Sequence, residues 1–197
     1  IFIEKKDSKK IISINGQKEL KSNNIDVPSD LSSSAFFIVA ALINKGSKIS
    51  MQNININPTR DGIIIALKKM GAKINLKNKR FLSGEIVADI EVESSDLVGC
   101  ELNPEMAKLM IDEYPILSIA AAFAEGPSLF KGLAELKVKE SDRLELIRLN
   151  LTKCGCECEV INNDLLIKPS KNYIPIDNKI RTDFDHRIAM SFVIMGS

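Results

Sequence analysis

Three segments of the chain begin alike, with an aspartate followed by a run of small and apolar residues. They are Asp30-Leu-Ser-Ser-Ser-Ala-Phe-Phe-Ile-Val-Ala-Ala, Asp112-Glu-Tyr-Pro-Ile-Leu-Ser-Ile-Ala-Ala-Ala and Asp185-His-Arg-Ile-Ala-Met-Ser-Phe. Such self-similarity constrains the fold strongly, because each copy must be one structural unit packed on its neighbours. Aspartate suits a helix start, where its carboxylate accepts the unpaired N–H groups of the first turn. Pro115 fits the first turn of the second copy. The three runs are apolar nearly all round, which predicts buried helices.

The segments after the first two runs repeat as well. Gly46 and Gly126 close the first helix of a unit. A short strand comes next, Lys48-Ile-Ser-Met or Ser128-Leu-Phe. An amphipathic helix then starts with charges: Arg60-Asp61 before Ile63, Ile64, Leu67 and Met70, and Ser141-Asp142-Arg143 before Leu144, Ile147 and Leu151. Both have the spacing of one helix face. Gly71 and Gly155 end these helices, and two strands close each unit, 72–76 with 86–92 and 157–161 with 165–167. Asn162-Asn163-Asp164 is the turn between the last pair. The unit is therefore βαβαββ, present twice, with a third begun at Ile180. The expected class is α/β (α+β), with buried helices inside and sheets outside. A generic α/β domain with accidental repeats is the alternative.

Residues 1–27 do not fit the unit. They read as the tail of a preceding N-terminal domain, with 28–197 forming most of a C-terminal domain. Together with a first residue Ile1 and an apolar run up to Ser197, this gives the expectation of a fragment of a two-domain protein.

Composition narrows the function. Lys+Arg 27 against Asp+Glu 26 gives a formal charge of +1, which removes the field that non-specific nucleic-acid binding uses. The longest apolar run, Ala35 to Ile43, is too short to span a membrane. Cys100, Cys154, Cys156 and Cys158 lack the spacing of a structural zinc site. Reduced thiols are the expectation, with redox sensitivity and metal binding as alternatives. The sequon Asn150-Leu-Thr152 has meaning only in a secreted chain.

Charge concentrates in three places: Lys137-Val-Lys139-Glu140-Ser141-Asp142-Arg143, Asp185-His186-Arg187 and Asp112-Glu113. All three lie at predicted helix starts. Repeated units can turn those ends to one face, where they would bind phosphate and carboxylate groups beside acid/base residues. The bland alternatives are a solvated helix start capped by Ser141, a structural His186, and a carboxylate pair of which one member alone suffices as a cap.

At these residues the sequence resembles the 3-phosphoshikimate 1-carboxyvinyltransferase (EPSP synthase) family of enolpyruvyl transferases. Lys139-Glu-Ser-Asp-Arg143, Asp185-His-Arg-Ile-Ala-Met190 and the Asp112 segment carry the resemblance. Val27-Pro-Ser-Asp-Leu-Ser-Ser33, Asn57-Pro-Thr-Arg60, Lys69-Met-Gly-Ala72 and Ala124-Glu-Gly126 extend it along the chain. The resemblance implies two similar domains of three βαβαββ units each, closing over a cleft. It implies transfer of the enolpyruvyl group of phosphoenolpyruvate to the 5-hydroxyl of shikimate 3-phosphate, with no metal or organic cofactor, in a cytoplasmic, monomeric enzyme.

The resemblance also implies roles for individual residues. Arg143 and Arg187 would hold the phosphoenolpyruvate anion, and Lys139 would stand near the 5-hydroxyl. Asp112 would bind that hydroxyl and accept its proton. Glu140 would exchange a proton with the methylene carbon, and His186 would hydrogen-bond nearby. Glu135 lies where some members contact the shikimate ligand. Ser32 and Ser33 resemble phosphate-binding serines, with helix capping as their expected part here, and Arg60 is expected as structural. The alternatives are a UDP-N-acetylglucosamine enolpyruvyl transferase, whose signatures differ from the two strings above, and a non-catalytic anion-binding module.

Overall fold

The computed structural model describes residues 1–7, 9–17, 19–170 and 179–197. Two antiparallel strands, β1 (Phe2–Lys6) and β2 (Lys9–Ser13), form a hairpin exposed along its whole length. Further along, Ser29 bridges in parallel to Ile54.

The first unit contains α1 (Leu31–Ile43), β3 (Lys48–Asn55), α2 (Gly62–Lys69), β4 (Lys73–Leu82) and β5 (Glu85–Glu93). Its strands form an antiparallel sheet in the order β3-β5-β4. In the central strand β5, Ile90 and Val92 are buried, while Glu91 and Glu93 point outward to Lys77 and Lys48. That alternation is how a strand covers a core on one face and meets water on the other. The register slips between Met51 and Ile54 and between Lys77 and Arg80. The Asp89 carboxylate ties these bulges together, accepting from Asn53 N, Asn78 Nδ2 and Arg80 Nη2.

The second unit repeats the plan with β6 (Glu101–Leu102), α3 (Ala107–Met110), α4 (Tyr114–Ala122), β7 (Ser128–Phe130), α5 (Arg143–Lys153), β8 (Glu157–Ile161) and β9 (Asp164–Lys168). Its sheet runs β6-β7-β9-β8, with β6 parallel to β7 and the other neighbours antiparallel. The parallel β6–β7 pair corresponds to the Ser29–Ile54 bridge of the first unit. Both units are therefore βαβαββ, with the last strand between the other two. The final helix, α6 (His186–Met195), occupies the place of α1 and α4 in a third copy.

Helices α1, α4 and α6 pack on one another, β3 and β5 lie against α1, and β9 against α4. Every residue of α4 is buried. Ile38, Leu42, Ile116 and Leu117 are buried in the shared core, where a Leu→Ala change costs about 2–5 kcal/mol. Tyr114 sets its ring edge-on to Phe130 at 5.7 Å, fixing the start of α4 over β7. Helix α6 buries Ile188, Ser191 and Phe192 but leaves Met190 and Val193 open, so the expectation of a fully buried third helix does not hold for this face.

The four cysteines are buried and unpaired, and among the described residues no group of His, Cys, Asp and Glu is arranged to hold a metal. Asn150 of the sequon is fully buried, donating from Nδ2 to Arg181 O and accepting from Arg181 N at Oδ1. Its amide is thus engaged in holding the chain that enters α6. No helix among the described residues is long and apolar enough to cross a membrane.

Candidate active site

Local capping chemistry sets the starting points. Asp30 caps α1 by accepting from Ser33 N at 2.8 Å, and Asp185 caps α6 by accepting from Arg187 N at 2.9 Å. The middle copy departs from the pattern. Helix α4 begins at Tyr114 after a 3-10 turn (Ile111–Glu113), and the Asp112 carboxylate does not cap it. It turns instead to Arg143 and Lys139. Two expected caps also fall elsewhere. Asp142 caps α5, accepting from Glu145 N, which frees Ser141 to donate to Asp185 Oδ2 at 2.9 Å. Neither Ser32 nor Ser33 caps α1: Ser33 Oγ donates back to Asp30, and Ser32 Oγ accepts from Arg60 Nη2 at 3.0 Å.

Arg143 is the hub. It is fully buried at the first position of α5, and its guanidinium meets three carboxylates from three parts of the chain. Nε donates to Asp185 Oδ2 at 2.8 Å, Nη1 to Asp112 Oδ1 at 3.0 Å, and Nη2 pairs with Glu140 Oε2 at 2.6 Å. A buried cation is tolerable only with such pairing. The planar, five-donor guanidinium reaches all three at once, which an ammonium would not.

Lys139 widens the cluster. Its Nζ lies 3.5 Å from Asp112 Oδ1 and 3.2 Å from Glu135 Oε1. Glu135 belongs to a 3-10 stretch, Ala134–Val138, and is largely exposed. Arg187, one residue into α6, sends Nη1 to within 3.5 Å of the Asp112 carbonyl oxygen and 4.0 Å of Glu113 Oε1. The helix starts of α4, α5 and α6 thereby converge on Asp112. His186 is exposed at the tip of α6 and makes no side-chain hydrogen bond to the cluster among the described residues.

Titration follows the same geometry. Burial alone would raise the Asp185 carboxyl, but hydrogen bonds from Arg143 and Ser141 outweigh it and hold the group below the ordinary aspartate value. Glu113 goes the other way. Burial raises it, and the nearby Ser32 hydroxyl, Arg187 and Arg60 offset only part of that. Arg143 is raised: its burial opposes the charge, and the Asp185, Glu140 and Asp112 carboxylates more than restore it.

The sequence places Asp185 and Glu113 in the converging charge clusters but gives neither an individual role in the site. Glu113 did leave a signal, a second acid before a helix that needs only one cap. Asp185 left none beyond its capping role, because its link to Arg143 spans 42 residues.

The EPSP synthase (3-phosphoshikimate 1-carboxyvinyltransferase) family matches residues 1–197. A 3-phosphoshikimate 1-carboxyvinyltransferase of Cereibacter sphaeroides is 47% identical over 186 residues, which cover 94% of this chain and 42% of that protein. One from Brucella abortus is 45% identical over 192 residues, 97% of this chain and 43% of the relative. The solved EPSP synthase of Acinetobacter baumannii superposes with a TM-score of 0.86 at 40% identity, covering 98% of this chain and 44% of that one. The enolpyruvyl transferase NikO of Streptomyces tendae, at 16% identity and a TM-score of 0.54, shares the fold over 86% of this chain and 36% of its own. The chain thus spans less than half the length of these relatives, and it belongs to the EPSP synthase family.

Proposed function

We propose that the cluster around Asp112 is one wall of an active site that transfers the enolpyruvyl group of phosphoenolpyruvate to the 5-hydroxyl of shikimate 3-phosphate. The observation that carries the reading is the single Asp112 carboxylate shared by Arg143 at 3.0 Å and Lys139 at 3.5 Å, with Arg187 beside it. Both substrates bear a phosphate and a carboxylate, so the site needs fixed cations. A unit-charge pair 4 Å apart is worth roughly 4 kcal/mol at an effective dielectric of 20.

In this reading Asp112 accepts the proton of the 5-hydroxyl as its oxygen bonds to C2 of phosphoenolpyruvate. Glu140 delivers a proton to the methylene carbon, giving a tetrahedral adduct. Elimination reverses the second transfer: the new methyl group returns a proton to Glu140, the C2–phosphate oxygen bond breaks, and the departing phosphate takes the hydroxyl proton held by Asp112, so both acids are reset. Arg143 and Arg187 grip the phosphoenolpyruvate anion, Lys139 stands by the reacting hydroxyl, and His186 donates from the rim. Arg143 reaches a ligand when Glu140, its exposed partner, swings aside to work on the carbon. No metal or organic cofactor enters this scheme. The near-zero charge supports a role without nucleic acid, and the reading includes a cytoplasmic, monomeric enzyme.

The family match favours this reaction over the UDP-N-acetylglucosamine enolpyruvyl transfer. The proposal includes a domain division, residues 1–27 as the tail of one domain and 28–197 as part of a second, with the other wall of the cleft supplied by what the relatives have and this chain does not span. A cleft with one wall does not close over its substrates, so residues 1–197 alone are expected to be inactive. The test joins or co-expresses them with the parts of the Cereibacter sphaeroides relative that they do not cover and follows phosphate release. Turnover requiring both substrates supports the proposal. Binding of shikimate 3-phosphate without turnover would instead support an anion-binding module.

A further inference from the structure

Glu113 has no part in the reaction scheme, yet its buried carboxylate faces the guanidinium of Arg187. Its side chain is 5% exposed, and Oε1 is buried with no hydrogen-bond partner, 4.0 Å from Arg187 Nη1. Helix capping does not explain it, because α4 starts at Tyr114 without any side-chain cap bond. The groups facing it come from every unit: Ser32 from α1, Arg60 from the start of α2, Asp112 beside it, and Arg187 from α6. Ser32 in turn accepts a hydrogen bond from Arg60 at 3.0 Å. A carboxylate kept in an apolar helix start at the cost of an unmet hydrogen bond is an expensive way to fill space. Glutamine or an apolar residue would fill it more cheaply.

We infer that Glu113 is a positioning residue for Arg187, holding that guanidinium beside the Asp112 backbone so that it meets an anionic three-carbon substrate already aligned. Arg187 has only two anchors near its tip among the described residues, the Asp112 carbonyl at 3.5 Å and Glu113 at 4.0 Å. The first is neutral and at the limit of a hydrogen bond. The second supplies the charge that draws the side chain inward, away from solvent. Without it the long side chain regains its rotamer freedom, and binding must restore the order. This inference rests on the reading that Arg187 grips phosphoenolpyruvate.

The test uses Glu113→Gln in the reconstituted enzyme. The expected result is a rise of about tenfold or more in KM for phosphoenolpyruvate, a smaller change in kcat, and a KM for shikimate 3-phosphate within about twofold of the parent. The Tm of the variant is expected to equal or exceed that of the parent, since a costly buried charge has gone. An unchanged KM for phosphoenolpyruvate, or equal loss for both substrates with a lower Tm, would overturn the inference. Glu113→Asp, which keeps the charge but withdraws it by one methylene, should fall between parent and Gln; if the Gln variant does not fold, Asp alone must still raise KM for phosphoenolpyruvate selectively. If the parent reconstitution shows no turnover, the function proposal fails first, and the two failures remain distinct.

Discussion

Arg143 Nε lies 2.8 Å from Asp185 Oδ2, and neither side chain has any surface open to solvent. This pair joins the start of the second unit's amphipathic helix to the start of α6, the first helix of the third unit. Asp185 also accepts from Arg187 N and Ser141 Oγ, so it caps α6 and anchors Arg143 together. Its loss should therefore be felt in stability as well as in the site. Arg143→Met leaves Asp185 buried and unpaired, and Asp185→Asn leaves the guanidinium under-neutralised. Each is expected to lower unfolding free energy by about 3–5 kcal/mol, read from urea midpoints. A loss within experimental error in both would show that the pair carries little.

The two buried acids predict opposite responses to pH. Asp185 is held below its unfolded value of about 3.9. Its contribution is present above that value and is lost as pH falls through the lower folded one. Acid unfolding below about pH 3.9 should therefore be shallower in Asp185→Asn than in the parent. Glu113 is raised by burial, against the partial offset from Ser32, Arg187 and Arg60, with Asp112 adding to the rise. Its contribution is present below about pH 4.3 and is lost as pH rises through the folded value. Glu113→Gln should gain stability relative to the parent between acid and neutral pH, measured by urea titration at each pH. A constant difference would contradict the sign.

The cysteines should be chemically quiet. Burial pushes the Cys154 thiol up to about 11 and the Cys158 thiol up to about 12, and raises Cys100 and Cys156 as well. Little thiolate is present at neutral pH, and access needs opening of the β8 edge or the core. Iodoacetamide labelling of the native chain should track the rate of unfolding, and urea should accelerate it. Rapid labelling of the native chain would contradict this.

Lys139→Met should weaken the site without undermining the fold. Its ammonium touches Asp112 and Glu135 at a partly open position. Losing a charged hydrogen bond is worth about 1.5–3 kcal/mol, or roughly tenfold to a hundredfold in kcat/KM of the reconstituted enzyme. The urea midpoint should move little. A large stability loss with unchanged kinetics would mark Lys139 as structural.

Much of this fold is legible along the chain because its signals are local. Asp30 and Asp185 cap helices within three residues of themselves. Gly71 and Gly155 take φ +90° and +89° where the amphipathic helices end, a conformation open to glycine. Asn162 and Asn163 take positive φ in the β8–β9 turn. The site is legible in its residue types but not in its wiring. Nothing within a turn of Asp112 says that its carboxylate abandons the cap for Arg143, 31 residues away. That choice depends on how the second and third units stack, and so does the burial of Arg143. The 3-10 turn before α4 and the slips in β3 and β4 are likewise set by packing rather than by propensity.

The most direct measurement is kcat of the reconstituted enzyme carrying Asp112→Asn, alongside its affinity for shikimate 3-phosphate. The Asp112 carboxylate between Arg143 and Lys139 is the proposed proton acceptor. Asparagine keeps its shape and one acceptor oxygen but cannot take the hydroxyl proton. Turnover is expected to disappear while calorimetric binding of shikimate 3-phosphate is largely kept. A kcat close to the parent's would contradict the assignment.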